Sequence, residues 1–285
     1  QYTFNFNLIL LEPIHSNRYS GFFGKELIAG AFISKFAPIC LFFLFFKKKY
    51  LITLIIYILF GFSIILSGEK IALLNYSITS IILFLIIFLQ NKKFYIFLIP
   101  VILVGIIYIL YQSNLKPLQR QLEGFHSQIG ITINDGFIID YSNFLKNSQY
   151  GAHYLTALEI FFKNPYFGTG LKSYRVVCAD IAIINSYSIG SRCSTHPHNL
   201  HFEILSEMGF IGYIIFLTMI FLIFKLFIDT KIQDNFTFLL IISLFFAKIF
   251  PFLPSGSLFS SMNSTYFWLT VSMIYLIKNI KLESS

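Results

Sequence analysis

Charged residues are scarce in this sequence: 12% of the chain is Asp, Glu, Lys or Arg, whereas 56% is hydrophobic. A soluble globular domain carries roughly 25% charged residues. The composition therefore excludes a soluble domain and indicates an integral membrane protein. The apolar runs also lack the alternation of polar and apolar residues that membrane strands require, which favours helices.

Acidic residues are the scarcer charged type, and the net charge is +8. An excess of basic residues can indicate nucleic-acid binding. Here the lysines cluster in short segments between apolar runs, which is typical of a topology signal. We therefore expect membrane lipids, and no nucleic acid, as partners. The chain also begins at Gln1 without a methionine, and we expect it to be the C-terminal part of a longer one.

Seven apolar runs are long enough to cross a bilayer, which takes about 20 residues per helix. They cover 27–46, 50–66, 71–89, 94–112, 210–228, 236–253 and 262–279. This predicts an all-α, polytopic membrane bundle with four spans in 1–112, a long and partly helical loop region in 113–209, and three spans in 210–285. If every run spans, the basic segments share one side, which the positive-inside rule makes cytoplasmic. The 113–209 region then lies outside.

Two helices are expected within the loop region. Residues 154–163 have an amphipathic pattern that ends at Asn164-Pro165, and glycines predict a turn at 168–170. Pro197 suits the first turn of a second helix that ends at Gly209. This interpretation places His198 in the first helical turn, where free backbone N–H groups favour an anion.

Cysteine is rare, with three in the chain. Cys178 and Cys193 bracket a short segment on the predicted external side. An oxidising compartment allows a disulfide there, which would contribute roughly 3 kcal/mol. The alternative is two free thiols, and the predicted external location favours the bridge. Cys40 lies in the first apolar run and is expected to be a small packing residue.

Histidines cluster in the segment from Thr195 to Gly209, THPHNLHFEILSEMG. Imidazole is the side chain best suited to proton transfer near neutral pH. The spacing of His196, His198 and His201 lacks the helical i, i+4 pair of an H-E-x-x-H zinc motif, so metal binding is not favoured. Two interpretations stay open: a general acid or base that works without a metal, and polar residues that wet a helix start.

Three cations lie at predicted membrane boundaries on the external side: Arg18, Lys70 and Arg175. Any one of them alone could simply meet lipid headgroups. Together with a histidine-rich segment, they are typical of a cradle for a phosphate-bearing lipid. Lys35 falls inside the first run, where a charge is costly and takes a partner; Glu26 is the candidate.

Four ordered motifs resemble those of the O-antigen ligase and O-antigen polymerase family. The run HPHNLHFEILSEMGFIG, residues 196–212, resembles its H-P-H-N-x-(Y/F)-(L/x)-Q-x-L-x-E-x-G-x-x-G signature. Residues 18–30 resemble R-x-x-G-x-F-x-(D/N), residues 67–70 resemble S-G-x-R, and residues 164–175 resemble N-P-x-x-G-x-G-x-x-x-F-R. The resemblance covers about residues 18–215.

The resemblance implies a multi-pass glycosyltransferase of the GT-C type in the bacterial inner membrane, active in lipopolysaccharide biosynthesis at the periplasmic face. Its donor would be a glycan on undecaprenyl diphosphate, moved en bloc to a sugar hydroxyl without a metal or other cofactor. The acceptor would be the lipid A core in a ligase or a growing polysaccharide in a polymerase, and the motifs do not separate the two. A transporter or flippase is less favoured, because its polar groups would lie at mid-membrane.

The resemblance also implies a role for each matching residue. His198 would be the general base on the acceptor hydroxyl. The donor diphosphate would be held by Arg18, Lys70 and Arg175. Supporting roles would fall to His196, His201 and Glu207, the last positioning its helix.

Two residues depart from the family pattern. Lys70 stands where the family usually has arginine, and a lysine does not offer a bidentate fork to phosphate. Glu203 replaces the usual glutamine, and its charge is expected to raise the pKa of a neighbouring histidine.

Overall fold

A computed structural model describes residues 18–24, 26–46, 49–91, 115–122, 131–132, 138–139, 148–182, 193–229 and 254–282, with the single residues 145, 245 and 249. The helical fold predicted from the sequence is confirmed over these residues. The exception is one antiparallel pair of two-residue strands, β1 (Ile131–Thr132) and β2 (Ile138–Ile139).

Five of the seven apolar runs are helices: α1 (Ala29–Phe46), α2 (Tyr50–Ser67), α3 (Lys70–Asn91), α7 (Leu200–Asp229) and α8 (Ser261–Leu282). Within the described residues, one segment, Leu200–Lys225, is long and apolar enough to cross a membrane. Ala29–Leu41 and Leu51–Ser67 are shorter apolar helices. The run 94–112 and nearly all of 236–253 lie outside the described residues, so the count of seven spans stays a prediction.

The chain packs into two units. The first consists of Gln1–Phe125 and Asp234–Leu244, and the second of His126–Gln233 and Phe245–Ser285. In the first unit α1 packs against α2 and α3, and the short α4 (Lys116–Leu122) packs against α2 and α3. In the second unit α5 (Gln149–Lys163) packs against α6 (Tyr174–Ala182) and α7. The predicted three-part division stays a prediction, although its boundary at 209–210 falls inside α7.

Large apolar side chains project from α2 and α7 without protein cover. Leu51 and Leu59 are exposed on α2, and Ile215, Phe221 and Leu222 are exposed on α7. Single exposed apolar residues are ordinary, but rows of them along a helix mark a surface that meets an apolar environment. In a chain so poor in charge, these faces are suited to contact with lipid.

A tight turn joins α2 to α3 in the first unit. Gly68 adopts a left-handed backbone conformation (φ 66) that ends α2, as glycine does readily. Gly30 of α1 lies against this turn, where an added Cβ would overlap Ser67 Oγ. From α4, Arg120 Nη1 donates to the Gly68 carbonyl at 2.7 Å, and Gln121 Nε2 donates to a carbonyl of the last α2 turn at 2.9 Å.

Helix α7 of the second unit is broken at Gly209 (φ 67, ψ −168). The predicted stop at this glycine is confirmed, although the helix resumes at once. The segment 164–173, here called the 164–173 loop, satisfies the backbone around the break. Four hydrogen bonds join them, with the donor first: Phe210 to Pro165 (2.7 Å), Ile211 to Tyr166 (3.2 Å), Thr169 to Ser206 (3.2 Å) and Gly170 to Glu207 (2.8 Å).

Two glycines allow this close approach. A Cβ at Gly209 would lie 2.5 Å from both the Gly168 nitrogen and the Tyr166 carbonyl carbon. A Cβ at Gly168 would overlap the Glu207 carbonyl. Instead of the turn predicted at 168–170, the structure has a bend at Thr169 between turns at 165–167 and 171–172. The binding of this segment to the helix break at Gly209 was not predicted from the sequence.

The amphipathic helix α5 begins earlier than predicted. It starts at Gln149 rather than Tyr154 because Ser148 provides an N-cap, its Oγ accepting the Gly151 N–H at 2.8 Å. Serine is a strong N-cap residue, and a cap can start a helix before its apolar pattern begins. The predicted end at Asn164 is confirmed.

Candidate functional site

His198 lies immediately before the cap of α7, with a left-handed backbone (φ 56). The helix begins after Asn199, whose Oδ1 accepts the His201 N–H at 2.9 Å. Asparagine is a far better N-cap than the residues around it, so the predicted start at Pro197 and the placement of His198 in the first turn are wrong. The His198 carbonyl accepts the Ser255 N–H at 2.8 Å, which fixes this backbone from the segment before α8.

The His198 ring packs among other rings. The His196 centroid lies 4.2 Å away, the His153 centroid 5.2 Å away and the Tyr150 centroid 5.4 Å away in an edge arrangement. His153 and Tyr150 are one turn apart on α5. Sequence reasoning gave His153 no role. The available signal was a histidine on the apolar face of an amphipathic helix, which here is fully buried.

His198 is held neutral. Burial, followed by the neighbouring His196 and His153 imidazoles, lowers its pKa from 6.5 to about 3. A neutral imidazole keeps the lone pair that a general base requires. The pKa of His198 is therefore lowered, whereas Glu203 was expected to raise that of a neighbouring histidine. The Glu203 carboxylate accepts the Leu258 N–H at 2.9 Å.

The lowered pKa of His198 also determines how this histidine affects the free energy of unfolding. The unfolded chain binds the proton at about pH 6.5, whereas the folded chain binds it only near pH 3. Between these values the unfolded state binds more protons, so the free energy of unfolding falls as the pH decreases.

His201 has a structural environment. Its Nδ1 is hydrogen-bonded to the Tyr213 hydroxyl at 3.0 Å, and its Nε2 to the Ile249 carbonyl at 2.7 Å. Its ring contacts are with Tyr213 and Phe216. Because both ring nitrogens are engaged within the packing of α7, His201 is suited to support this helix rather than to transfer protons.

Glu207 joins α7 to the start of α6. Its buried carboxylate accepts the Lys172 N–H at 2.7 Å and the Tyr174 N–H at 3.2 Å. Acceptors at a helix N-terminus stabilise its free amides and its dipole. Exposed Arg175 is the next residue of α6 after Tyr174, so Glu207 positions the start of the helix that carries it. Glu207 lies two turns after the start of α7 near His198, a distance of about 10 Å along the helix axis.

A disulfide links α6 to the segment before the histidine cluster. Cys178 in α6 is bonded to Cys193, with their Cα atoms 5.4 Å apart. Cys178 is buried in a cluster with Ile160 and Tyr174, against which Phe202 of α7 packs. The covalent link therefore ties α6 to the segment that leads into the histidine cluster.

In the first unit, Glu69 organises the turn that carries Lys70. Its carboxylate accepts the Gly30 N–H at 2.8 Å and the Ala31 N–H at 3.0 Å, at the start of α1. Burial raises the pKa of Glu69, and the Gly30 hydrogen bond and the nearby Arg18 charge oppose this rise. Arg18 thus lies near the Glu69 carboxylate, and Lys70 is the next residue in the chain.

Two more cations lie near this turn. Lys35 is within electrostatic reach of Glu69, a different partner from the predicted Glu26. Arg120 reaches the turn through its bond to the Gly68 carbonyl. Sequence reasoning missed Arg120 because α4 carries no recognisable motif.

The four predicted substrate-facing residues divide between the units. Arg18 and Lys70 belong to the first, and Arg175 and His198 to the second. That all four face one chamber stays a prediction. Among the described residues, no group of three His, Cys, Asp or Glu side chains is arranged to hold a metal ion.

These features define a class of protein. It is a helical membrane protein with a cluster of packed histidines, and a basic loop is hydrogen-bonded to the first part of a membrane-length helix. The O-antigen ligase family matches residues 54–217, more than half of the chain. The chain therefore belongs to the O-antigen ligase family, a family of glycosyltransferases and ligases that act on lipid-linked glycans and their acceptors. The matched range contains Lys70, Arg175 and His198, and Arg18 precedes it. No curated protein matches the chain.

Proposed function

We propose that this protein is an O-antigen ligase of the GT-C type. It transfers a glycan en bloc from undecaprenyl diphosphate to a sugar hydroxyl of the lipid A core, at the periplasmic face of the inner membrane and without a metal ion. The observation that carries the proposal is the neutral, enclosed His198 beside α7, whose first two turns hold the start of α6, the helix that carries Arg175.

The reaction requires one proton transfer and one displacement. The neutral His198 imidazole accepts the acceptor hydroxyl proton as the oxygen bonds to the anomeric carbon of the donor. The bond from that carbon to the diphosphate oxygen breaks, and the lipid diphosphate leaves with the electron pair. Arg18, Lys70 and Arg175 hold the charge that develops on it.

Donor binding makes His198 a stronger base. With a pKa of about 3, the free enzyme holds a neutral but weak base. A diphosphate nearby adds negative charge, which favours the protonated imidazole and raises its pKa towards the working pH. Donor binding should therefore precede productive acceptor binding. The adjacent His196 and His153 disfavour an imidazolium, so the proton departs readily after transfer.

The pH profile of transfer tests this charge state. We expect kcat/KM, which reports the free enzyme, to show no acid limb near pH 6.5, because His198 stays neutral well below that pH. The measurement is kcat/KM against pH for the wild type and for His153→Phe. The His153 imidazole lowers the pKa of His198 electrostatically, so its removal should raise that pKa and move the acid limb of His198 to higher pH. A wild-type limb near 6.5 that the His198→Asn variant lacks would contradict the assignment.

Reconstituted transfer tests the function itself. Purified protein in nanodiscs is given a glycan on undecaprenyl diphosphate together with lipid A core, and products are separated by mass. Glycosylated core supports the ligase. Lengthening of the lipid-linked glycan when only donor is present identifies a polymerase, and an unchanged donor under both conditions rejects both. Activity that a chelator abolishes and a divalent metal restores would overturn metal independence.

Arg175→Lys tests the diphosphate site. The side chain is exposed at the start of α6, and lysine keeps its charge but loses the planar fork that pairs with phosphate oxygens. We expect the donor KM to rise about tenfold, the effect of losing one charge-assisted hydrogen bond, with a smaller change in kcat. The matched control is Asp180→Asn, exposed on the same helix. Equal KM values for the two variants would remove Arg175 from the donor site.

A further inference from the structure

Uncovered apolar side chains surround the start of α6. They come from the end of α5, the 164–173 loop and the first turn of α6, and are between 60% and 76% exposed: Phe162, Tyr166, Phe167, Leu171 and Val176. We call this set the 162–176 surface. So many large apolar groups within one short stretch mark a surface that is covered in the working protein.

The same stretch is basic. Lys163, Lys172 and Arg175 are exposed within it, and no acidic residue occurs between 162 and 176. Glu207, which contacts this stretch, is buried and turned towards its backbone amides. The combination of aromatic rings with lysine and arginine is typical of a membrane–water interface, and the positive charge complements anionic headgroups.

The 162–176 surface continues into the membrane-length part of α7. The Pro165 and Tyr166 carbonyls accept the N–H groups of Phe210 and Ile211. The loop therefore lies against the first turn after the Gly209 break. On that part of α7, Phe210, Ile211, Ile214 and Ile215 are exposed as well, so loop and helix present adjoining apolar surfaces.

Helix geometry gives the depth of this surface. Residues 210–228 rise about 28 Å as an α-helix, which nearly equals the hydrocarbon core of a bilayer, about 30 Å. A span of this length has its first turn at the hydrocarbon boundary. Tyr166 and its neighbours, bonded to that turn, then lie at the same boundary.

We propose that the 162–176 surface is inserted in the bilayer interface on the side from which α7 enters, with phospholipid as its occupant. Its apolar side chains contact the upper acyl chains, and Lys163 and Lys172 lie among the lipid phosphates. Two features favour lipid over a protein partner: the surface is continuous with the apolar face of α7, and its charged residues are all basic. The proposal does not depend on the transfer reaction.

Depth-dependent fluorescence quenching tests it. The chain has one tryptophan, so the full-length protein with Trp268→Phe provides a silent background. Phe167→Trp reports on the surface, and Gln149→Trp, exposed at the opposite end of α5, is the matched control. In nanodiscs with lipids brominated near the glycerol end of their acyl chains, we expect Phe167→Trp to be quenched several-fold more strongly than the control.

Two outcomes would overturn the proposal. Quenching of Phe167→Trp no stronger than that of Gln149→Trp would place the loop in water. Blue-shifted emission that brominated lipids do not quench would assign the surface to a protein contact, including a second copy of the chain. Tyr166→Trp serves as a second reporter if the first variant does not fold. The readout is depth, so loss of the proposed ligase function would not affect it.

Discussion

His198→Asn is expected to lower kcat for glycan transfer by about 10²- to 10⁴-fold, the usual contribution of a general base. Asparagine suits the position because His198 has a left-handed backbone (φ 56), which asparagine tolerates better than most residues. The variant should therefore fold normally and retain its donor KM. The measurement is single-turnover transfer with saturating donor.

His201→Gln is the control for that experiment. Both nitrogens of His201 are bonded within α7 packing, so its replacement should lower thermal stability while leaving kcat close to that of the wild type. The two variants thus separate chemistry from folding. Transfer by His198→Asn at the wild-type rate would assign the base to another residue.

Gly209→Ala is expected to have the largest effect on stability. The glycine has φ 67 and ψ −168, a region that is essentially restricted to glycine and costs other residues about 1–3 kcal/mol. The added Cβ would also lie 2.5 Å from backbone atoms of Gly168 and Tyr166. Because backbone has little freedom to move away, we expect a total loss of about 3 kcal/mol or more in the free energy of unfolding.

Gly170→Ala isolates the steric part of that loss. Gly170 also has a positive φ, 102, but an added Cβ there has no atom within 4 Å. It should therefore incur only the backbone cost. Thermal unfolding in the same nanodiscs measures both variants. Equal losses of stability would mean that the overlap with Gly168 and Tyr166 costs nothing beyond the backbone strain.

Helix positions followed from local composition. The long apolar runs predicted α1, α2, α3, α7 and α8, because a helix in lipid must be apolar along its length. Helix starts were less accurate. Ser148 and Asn199 each begin a helix through a side-chain hydrogen bond, and such a cap does not alter the apolar pattern from which the helix was predicted.

The candidate site was only partly predictable. His198 stood out because histidine is rare and clustered in the sequence. The neighbours of His198 were not evident, since His153 comes from a different helix. Contacts between segments that are distant in the chain produce no periodic pattern in the local sequence. The same holds for Glu207, predicted to position its own helix, whose carboxylate instead binds two amides that lie about 35 residues earlier in the chain.

The hydrogen bonds between the 164–173 loop and α7 around Gly209 constrain the length of the chain as well as the residue types. Inserting or deleting one residue between Asn199 and Gly209 would turn the helix start by about 100° and displace it by about 1.5 Å along the axis. Either Asn199 would no longer cap the helix, or Gly209 would no longer pack against the 164–173 loop. We therefore expect this stretch to tolerate substitutions far better than insertions or deletions. Near the end of α7, past the residues that pack with Leu200 and Ile204, changes in helix length should be better tolerated and could follow the thickness of the bilayer.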